Sequence, residues 1–291
     1  MKAPVTPKRV AWLSFKYLYI AMQIFVMLFP LFFMFMSAFK TNREIDLTPF
    51  ALPSSFEAIK VNVMNVINGE VGKAQLTPFF KMLSNTVILT AVPLVFMLIL
   101  STLCAYGLGR YRFKGKGIVL GFILLVQTVP FFGYIIPMQL LVDSMGLFNK
   151  HLGVIPVYVA VALPSTIVLM QGFFKTFPVG VEEAALIDGC SEIKKFTLVV
   201  APMSIGIIGS MAIVNFMGYW NEFAVASLLL PDESKRTINL GVFALKTQLG
   251  GVGRKDYIMT LLSMAALPNL IFFTVLQKSI INGISLGSLK G

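Results

Sequence analysis

Few residues of this chain have the types and spacing that enzyme chemistry requires. The sequence has one histidine, His151, and its acidic residues lie mainly between apolar stretches. Neither a Ser-His-Asp arrangement nor a catalytic pair of carboxylates can be built from them. Cys104 and Cys190 have no neighbouring Cys or His at metal-ligand spacing. The glycine-rich stretch 250–256 lacks the glycine spacing and the Lys-Ser/Thr pair of a phosphate loop. The sequence therefore predicts a chain that is not an enzyme and binds no ATP, cofactor or metal itself.

A second chemistry, recognition of a polar solute, is suggested by polar residues within apolar stretches. Glu222 lies in the segment Y-W-N-E-F beside Tyr219 and Trp220, a combination that suits sugar binding through stacking and hydrogen bonds. Anchoring of the aromatic pair at a membrane interface explains the same residues equally well. Intramembrane polar groups usually face the bundle interior, although hydrogen bonding between helices also accounts for single amides. The candidate substrate path consists of Gln127, Asn215, Tyr219, Trp220, Asn221 and Glu222.

The polar stretch 178–202 has the pattern of two short helices that meet at a glycine. Pro178 suits a helix start, and Glu182 and Glu183 follow in the first turns, where the helix macrodipole favours acids. Gly189 supplies a residue that adopts the left-handed conformation at a helix end. The stretch therefore predicts a compact helix-turn-helix between two apolar spans.

The second helix of this stretch is predicted to begin after Ser191, a suitable capping residue, with Glu192 in its first turn. Pro202 is expected to interrupt it. On the first helix, Ala184 and Ala185 provide a low-profile face that could seat closely in a groove on a partner. The pattern thus favours a docking element.

Composition places the chain in a lipid bilayer. Hydrophobic residues make up 57% of it and charged residues 13%, and the mean hydropathy is +0.83, which excludes an ordinary soluble protein. The net charge of +11 comes from basic residues scattered at span ends and in loops. Without a basic face interleaved with aromatic residues, this charge indicates contact with membrane lipid and not with nucleic acid.

Six stretches are long and apolar enough to cross a bilayer, which takes about 20 residues each. The predicted fold is an all-α membrane protein, a bundle of six transmembrane helices with a helix-turn-helix loop between the fourth and fifth. Prolines within these stretches, including Pro130, Pro137 and Pro268, predict kinks. The predicted spans are 17–39, 82–108, 118–142, 152–174, 203–230 and 257–281.

Lysine and arginine placement predicts the orientation of these spans. Basic residues are dense in the N-terminal tail and in the short loop 110–116, so we expect both in the cytoplasm. Bases in the long outer loops are discounted, because such loops translocate with little regard to charge. The predicted segments are a cytoplasmic tail at 1–16, the first span at 17–39, an extracytoplasmic loop at 40–81, a core domain at 82–281 that includes a cytoplasmic coupling loop at 175–202, and a cytoplasmic tail at 282–291.

The first outer loop, 40–81, mixes prolines and asparagines with apolar residues such as Phe50 and Phe56. A short amphipathic helix on the outer surface is predicted there. Two hypotheses stand side by side for it: contact with an external solute receptor, and a connector that lies against the membrane.

The residues E-A-A-x-x-D-G at 183–189, followed by Phe196 and Pro202, resemble the EAA loop of permease subunits in bacterial ATP-binding-cassette importers. In that family the loop is the cytoplasmic coupling element, which docks into a groove on the ATPase subunit. The family usually ends this motif with Leu-Pro, whereas this chain has Ala201 before Pro202. The difference weakens one packing contact of the motif.

Further segments are similar to the second permease subunit of carbohydrate importers related to the maltose system. The similarity spans most of the chain from Asn85 onward, in the same order and spacing. The similar segments are Asn85-Thr86, 105–117, 146–150, W-N-E-F at 220–223 and 282–291.

The resemblance implies a heteromeric importer in a bacterial cytoplasmic membrane. It would contain this chain, a homologous permease, two cytoplasmic ABC ATPases and an extracytoplasmic solute-binding protein. ATP and Mg would bind to the ATPases, and the solute would be an oligosaccharide or a related compound. By resemblance, the residues that couple this chain to the ATPases are Glu182, Glu183, Ala184, Ala185, Asp188, Gly189 and Phe196.

An alternative hypothesis of a different class is a stand-alone secondary transporter that uses Glu222 as a proton or sodium site. It predicts uptake by this chain alone in vesicles without ATP. A membrane scaffold without a transport role is disfavoured by the polar residues within the spans.

Overall fold

The computed structural model describes residues 7–71, 74–248 and 254–288. The glycine-rich stretch at 250–253 and the outer ends of the two predicted tails lie outside the described residues. The chain forms two compact units, one from Met1–Phe79 and Val242–Leu267 and the other from Phe80–Gly241 and Pro268–Gly291.

The N-terminal part begins with a long helix, α1 (Pro7–Ser37). Two short helices follow, α2 (Asn42–Leu47) and α3 (Glu57–Asn68), and then an antiparallel pair of two-residue strands, β1 (Glu70–Val71) and β2 (Ala74–Gln75). The single helix predicted for loop 40–81 is thus too simple a description. A capping box between Thr41 and Glu44 starts α2 and has no counterpart at α3.

The next long helices are close to the second and fourth predicted spans. They are α4 (Phe79–Arg110) and, after a bent pair, α7 (His151–Lys175). The bent pair consists of α5 (Lys116–Thr128) and α6 (Phe131–Ser144), which meet at 102°. The third predicted span, 118–142, therefore corresponds to two helices that are joined at this bend. The kink predicted at Pro130 is confirmed as a complete break, because the backbone of this residue is extended and it has no N–H to continue the helix. Pro137 lies inside α6.

The region after α7 is built from short helices. They are α8 (Val179–Ile187), α9 (Glu192–Lys195), a π-helical turn at Phe196–Val200, α10 (Ala201–Met203), α11 (Ile205–Trp220) and α12 (Ala224–Leu229). The fifth predicted span, 203–230, is corrected in two respects. The chain bends by 70° between Met203 and Ile205, and helical structure stops between Trp220 and Ala224.

The last described elements are α13 (Ile238–Gln248) and α14 (Lys255–Ser288), and α14 contains Pro268. Over the described residues, three helices are long and apolar enough to cross a membrane: Val10–Ser37 of α1, α4 and α7. The number rises to five if each bent pair forms one span. Helix α14 covers the sixth predicted span without being among these five, so the count of six stays a prediction. The prediction of an all-α membrane protein is confirmed.

Helix α7 organises the core of the second unit, because it contributes to two hydrophobic clusters. One cluster joins Tyr106 of α4 to Met170 and Phe174 of α7, and it also contains Phe177, Val200 and residues of α5 and α11. The other joins Tyr158 of α7 to Tyr219 of α11, together with residues of α4, α6 and α12. The first cluster lies beneath the helix-turn-helix, and the second lies beside the candidate substrate path.

Candidate functional site

The helix-turn-helix has the local structure that its sequence predicts. Helix α8 begins after Pro178, and Gly189 has a φ of 79°, the left-handed conformation that favours glycine. The side chain of Ser191 caps α9 by accepting a hydrogen bond from the backbone N–H of Lys194. The expected interruption at Pro202 is wrong in position: Pro202 lies in the first turn of α10, and the bend follows at Ser204.

Glu182 anchors α8 to the end of α4. It is buried, and its carboxylate accepts hydrogen bonds from the hydroxyl of Tyr106 at 2.8 Å and from Nε of Arg110 at 2.7 Å. Nη2 of Arg110 also contacts this carboxylate, and Nη1 donates to the carbonyl of Phe177 at 3.2 Å. We call Tyr106, Arg110 and Glu182 the clamp. Nε and Nη2 of Arg110 both contact one carboxylate oxygen and Tyr106 contacts the other, and charge-assisted hydrogen bonds of this kind are stronger than neutral ones.

A second connection lies beside the clamp. The hydroxyl of Tyr111 donates to the carboxylate of Glu192, which also pairs with Nζ of Lys195 at 2.7 Å. The same Nζ lies 5.8 Å from the centre of the Tyr111 ring. Burial raises the pKa of the Tyr111 hydroxyl, and its hydrogen bond to Glu192 raises it further. Tyr111 therefore stays a neutral donor at physiological pH and ties α9 to the residue that follows α4.

The predicted coupling residues divide into inward and outward groups. Ala185 is buried and Phe196 packs on the Tyr106 ring at 5.0 Å, so both belong to the inward side together with Glu182. Glu183 and Ala184 are exposed. The single low-profile face predicted for Ala184 and Ala185 is therefore wrong, because adjacent helical residues point about 100° apart.

The outward side of α8 is partly apolar. Ile187 is 86% exposed, and Leu186, Asp188 and Gly189 are also exposed. Together with Glu183 and Ala184 these residues form what we call the outer face. The sequence analysis did not predict the clamp partners on α4, because it treated Arg110 only as a basic residue of the loop 110–116. The spacing of Tyr106 and Arg110, one helical turn apart, was the available signal.

Glu222, predicted to lie well inside a span, lies instead in the break between α11 and α12. Its carboxylate accepts the backbone N–H groups of Val225 at 2.7 Å and Ala226 at 3.1 Å, and the hydroxyl of Tyr158 at 2.5 Å. These contacts make Glu222 a cap for α12, because they satisfy N–H groups that have no partner within the helix.

The structure brings Asn215, Tyr219 and Glu222 together in one cavity of about 310 Å³. The ring of Tyr219 stacks parallel to that of Tyr158 at 5.4 Å, and its hydroxyl donates to the Tyr158 carbonyl at 3.1 Å. The amide of Asn215 donates to Oγ1 of Thr166 at 3.2 Å. The cavity thus combines a stacked aromatic pair with polar side chains.

The other three candidates for the path lie elsewhere. Trp220 is buried against Phe216, and Asn221 is exposed, with its amide donating to the backbone carbonyl of Met217 in α11. Gln127 lines a second and larger cavity of about 920 Å³, bounded by α5, α6 and α7, which shares Phe131 and Val161 with the first. The six candidates therefore do not form a single site.

The membrane-length helices, one of them clamped to a helix-turn-helix, define the chain as a membrane protein. It belongs to the family described as binding-protein-dependent transport system inner membrane component, which matches residues 97–285. This family supplies the transmembrane permease subunits of ABC transporters, as the resemblance of the helix-turn-helix predicted.

Relatives of known name agree with this assignment. The chain is 32% identical to YurM of Bacillus subtilis, a probable ABC transporter permease protein, over 94% of this chain and 88% of that protein. It is 31% identical to NgcG of Streptomyces coelicolor, a diacetylchitobiose uptake system permease protein, with coverage of 91% and 85%. GanQ of Bacillus subtilis, a galactooligosaccharides transport system permease protein, is 26% identical over 100% of both chains.

A solved structure shares the fold. A chain of a bacterial ABC transporter involved in the import of the acidic polysaccharide alginate matches with a TM-score of 0.78 and 20% identity, over 95% of this chain and 99% of that chain. At this identity the match bears on the fold alone.

Proposed function

We propose that this chain and a homologous permease together form the membrane path of an ABC importer for a carbohydrate, with an oligosaccharide as the first candidate. Relatives named for diacetylchitobiose and galactooligosaccharide transport support this solute class. A solute-binding protein outside the bacterial cytoplasmic membrane delivers the solute, and two cytoplasmic ATPases bind the ATP and Mg. The chain itself has no ATP site, and both of its termini are cytoplasmic.

One observation carries the coupling part of this proposal: α8 is held from behind by a buried ion pair while its outer face stays exposed. An element built this way can receive a partner on one side and pass its displacement to α4 on the other. Glu183, Ala184, Ile187 and Asp188 contact the ATPase, and Gly189 sets the turn that presents them. Glu182, Ala185 and Phe196 act from behind, by holding the outer face in place.

Replacement of Gly189 tests this role. A Cβ at Gly189 meets open space, but its φ of 79° strains a β-branched residue. We expect Gly189→Val to leave membrane insertion intact and to uncouple ATP hydrolysis from uptake in proteoliposomes that contain all the subunits. Normal uptake per ATP hydrolysed would contradict the coupling role.

The secondary-transporter hypothesis loses its main support, because Glu222 caps a helix. Uptake by this chain alone, without ATP and with a proton or sodium gradient, would restore it. A ligand screen on the partner solute-binding protein identifies the solute class, and failure of every carbohydrate would refute that part of the proposal only.

A further inference from the structure

The segment that joins α2 to α3 is an apolar loop. With Leu47, the last residue of α2, residues 47–56 read L-T-P-F-A-L-P-S-S-F, without a charged residue, between Asp46 on one side and Glu57 on the other. The side chains of Phe50 and Leu52 are 73% and 79% exposed. Leu47 and Phe56 are exposed as well. A short loop with four exposed large apolar side chains is unusual for a surface in contact with water.

Both ends of this apolar loop have polar groups that are paired within the chain. Lys40 is buried, and its Nζ donates to the carbonyls of Thr48 at 3.0 Å and Pro49 at 2.8 Å. At the other end, the carboxylate of Glu44 accepts the backbone N–H of Ser54 at 2.9 Å and also its hydroxyl. The hydroxyl of Thr48 donates to the carbonyl of Glu44 at 3.1 Å. Internal satisfaction of this kind lowers the cost of placing a loop in an apolar medium.

The loop also folds back along α1. The Phe50 ring lies 6.2 Å from that of Phe29 and 5.7 Å from that of Phe33. With a rise of about 1.5 Å per residue, Phe33 and Phe29 lie about 6 and 12 Å before the end of α1 at Ser37. Helix α1 is long and apolar enough to cross a membrane. Phe50 therefore lies beside a part of α1 that belongs to the membrane-length stretch Val10–Ser37.

The apolar surface is continuous between the loop and the span. Phe25 packs on Phe29 at 5.4 Å and is itself exposed, so an aromatic row continues from Phe50 along α1. Lipid can cover the loop and the span at once, and the large apolar side chains of Val10–Ser37 are exposed along most of its length, as a lipid-facing helix requires. A water-soluble receptor could cover the loop, but it could not follow the row into the bilayer.

We propose that the apolar loop inserts Leu47, Phe50, Leu52 and Phe56 into the lipid of the outer leaflet beside α1. The ties from Lys40 and Glu44 hold the loop in the shape that inserts. The loop thereby acts as an interfacial anchor of the kind that apolar and aromatic side chains form at a membrane surface. This role is independent of ATPase coupling and of the transported solute.

Fluorescence quenching tests the insertion. The full importer is reconstituted in phosphatidylcholine nanodiscs with Cys104 and Cys190 replaced by Ser and an NBD label on Leu52→Cys. Lys60→Cys, at an exposed position on α3, is the matched control. We expect blue-shifted emission at position 52 and several-fold stronger quenching by shallow doxyl lipid than by aqueous iodide. The label at position 60 should show the reverse. Retained uptake by the same labelled complexes in proteoliposomes confirms that each is folded.

Three results would overturn the proposal. Equal quenching by iodide at positions 52 and 60 would place the loop in water. Shielding of position 52 from both quenchers, or a spectral change when the solute-binding protein is added, would identify a protein as the occupant. If the change at position 52 prevents assembly, Leu47→Cys is labelled instead and judged by the same criteria.

Discussion

Removal of the Glu182 carboxylate tests whether the clamp holds the coupling segment to α4. In Glu182→Ala, the Arg110 guanidinium loses its carboxylate partner, and the Tyr106 hydroxyl loses its acceptor. The side chains of Arg110 and Glu182 are only 14% and 8% exposed, so water replaces the lost contacts poorly. We therefore expect α8 to separate from α4 more readily while the rest of the chain stays folded.

The expected free-energy cost of Glu182→Ala follows from the burial of the ion pair. Removing one partner of a buried pair costs about 3–5 kcal/mol, because the other charge stays buried without compensation. Arg110 retains its hydrogen bond to the carbonyl of Phe177, which favours the lower end of that range. About 3 kcal/mol corresponds to a roughly 100-fold change in the opening equilibrium of α8.

Hydrogen–deuterium exchange of the reconstituted permease pair measures this opening. Amides of α8 should exchange roughly 100-fold faster in Glu182→Ala. In proteoliposomes that contain the full importer, uptake per ATP hydrolysed should fall. Glu183→Ala is the matched control, because the neighbouring carboxylate is exposed. It should leave the exchange of α8 unchanged and weaken only the binding of the ATPase.

A double replacement distinguishes the effect of an unpaired buried charge from the effect of lost packing between α8 and α4. Glu182→Leu combined with Arg110→Met removes both charges and should recover most of the protection of α8, since apolar pairs of similar volume often replace buried ion pairs without loss. The reasoning is refuted if Glu182→Ala leaves the exchange of α8 unchanged, or if Glu183→Ala accelerates it equally.

Three further predictions concern packing, capping and pH. Gly153→Ala should destabilise the chain by about 1–3 kcal/mol, because its Cβ would lie 2.3 Å from a backbone oxygen. Gly172→Ala in the same helix meets open space and should be neutral or stabilising by up to about 1 kcal/mol; equal shifts in thermal unfolding would contradict this. Glu222→Ala should destabilise the first turn of α12 by about 0.5–2 kcal/mol, because the cap is lost. The first amides of α12 should then exchange about 2- to 30-fold faster. Unchanged exchange would argue against the cap. Hydrogen bonds led by those from Ser54 lower the pKa of Glu44 from 4.5 to about 2. Because the folded-state pKa is depressed, this stabilisation is present above pH 4.5 and lost as the pH falls towards 2. A spin label on the apolar loop should gain mobility only in that window, and constant mobility across it would count against the Glu44 tie.

The sequence by itself determined the features that depend on residues close together along the chain. Its apolar runs predict membrane helices, because a bilayer leaves the backbone few other ways to satisfy its hydrogen bonds. Pro178, Gly189 and Ser191 predict the two short helices and their turn, since each acts on the backbone within a few residues. The sequence motif of this turn also led to the permease family.

Only the tertiary structure decided which side each of these residues faces. Glu182 and Glu183 are equivalent in the local pattern, and the packing of α8 on α4 turns one into a buried anchor and leaves the other exposed. The partner of Glu182, Arg110, is 72 positions away in the chain, so no local rule connects them. The sequence likewise predicts Glu222 within a span, whereas in the structure α11 ends at Trp220 and Glu222 caps α12. In each case the outcome depends on the rotation and the ending of a helix against its neighbours, and packing energy sets both.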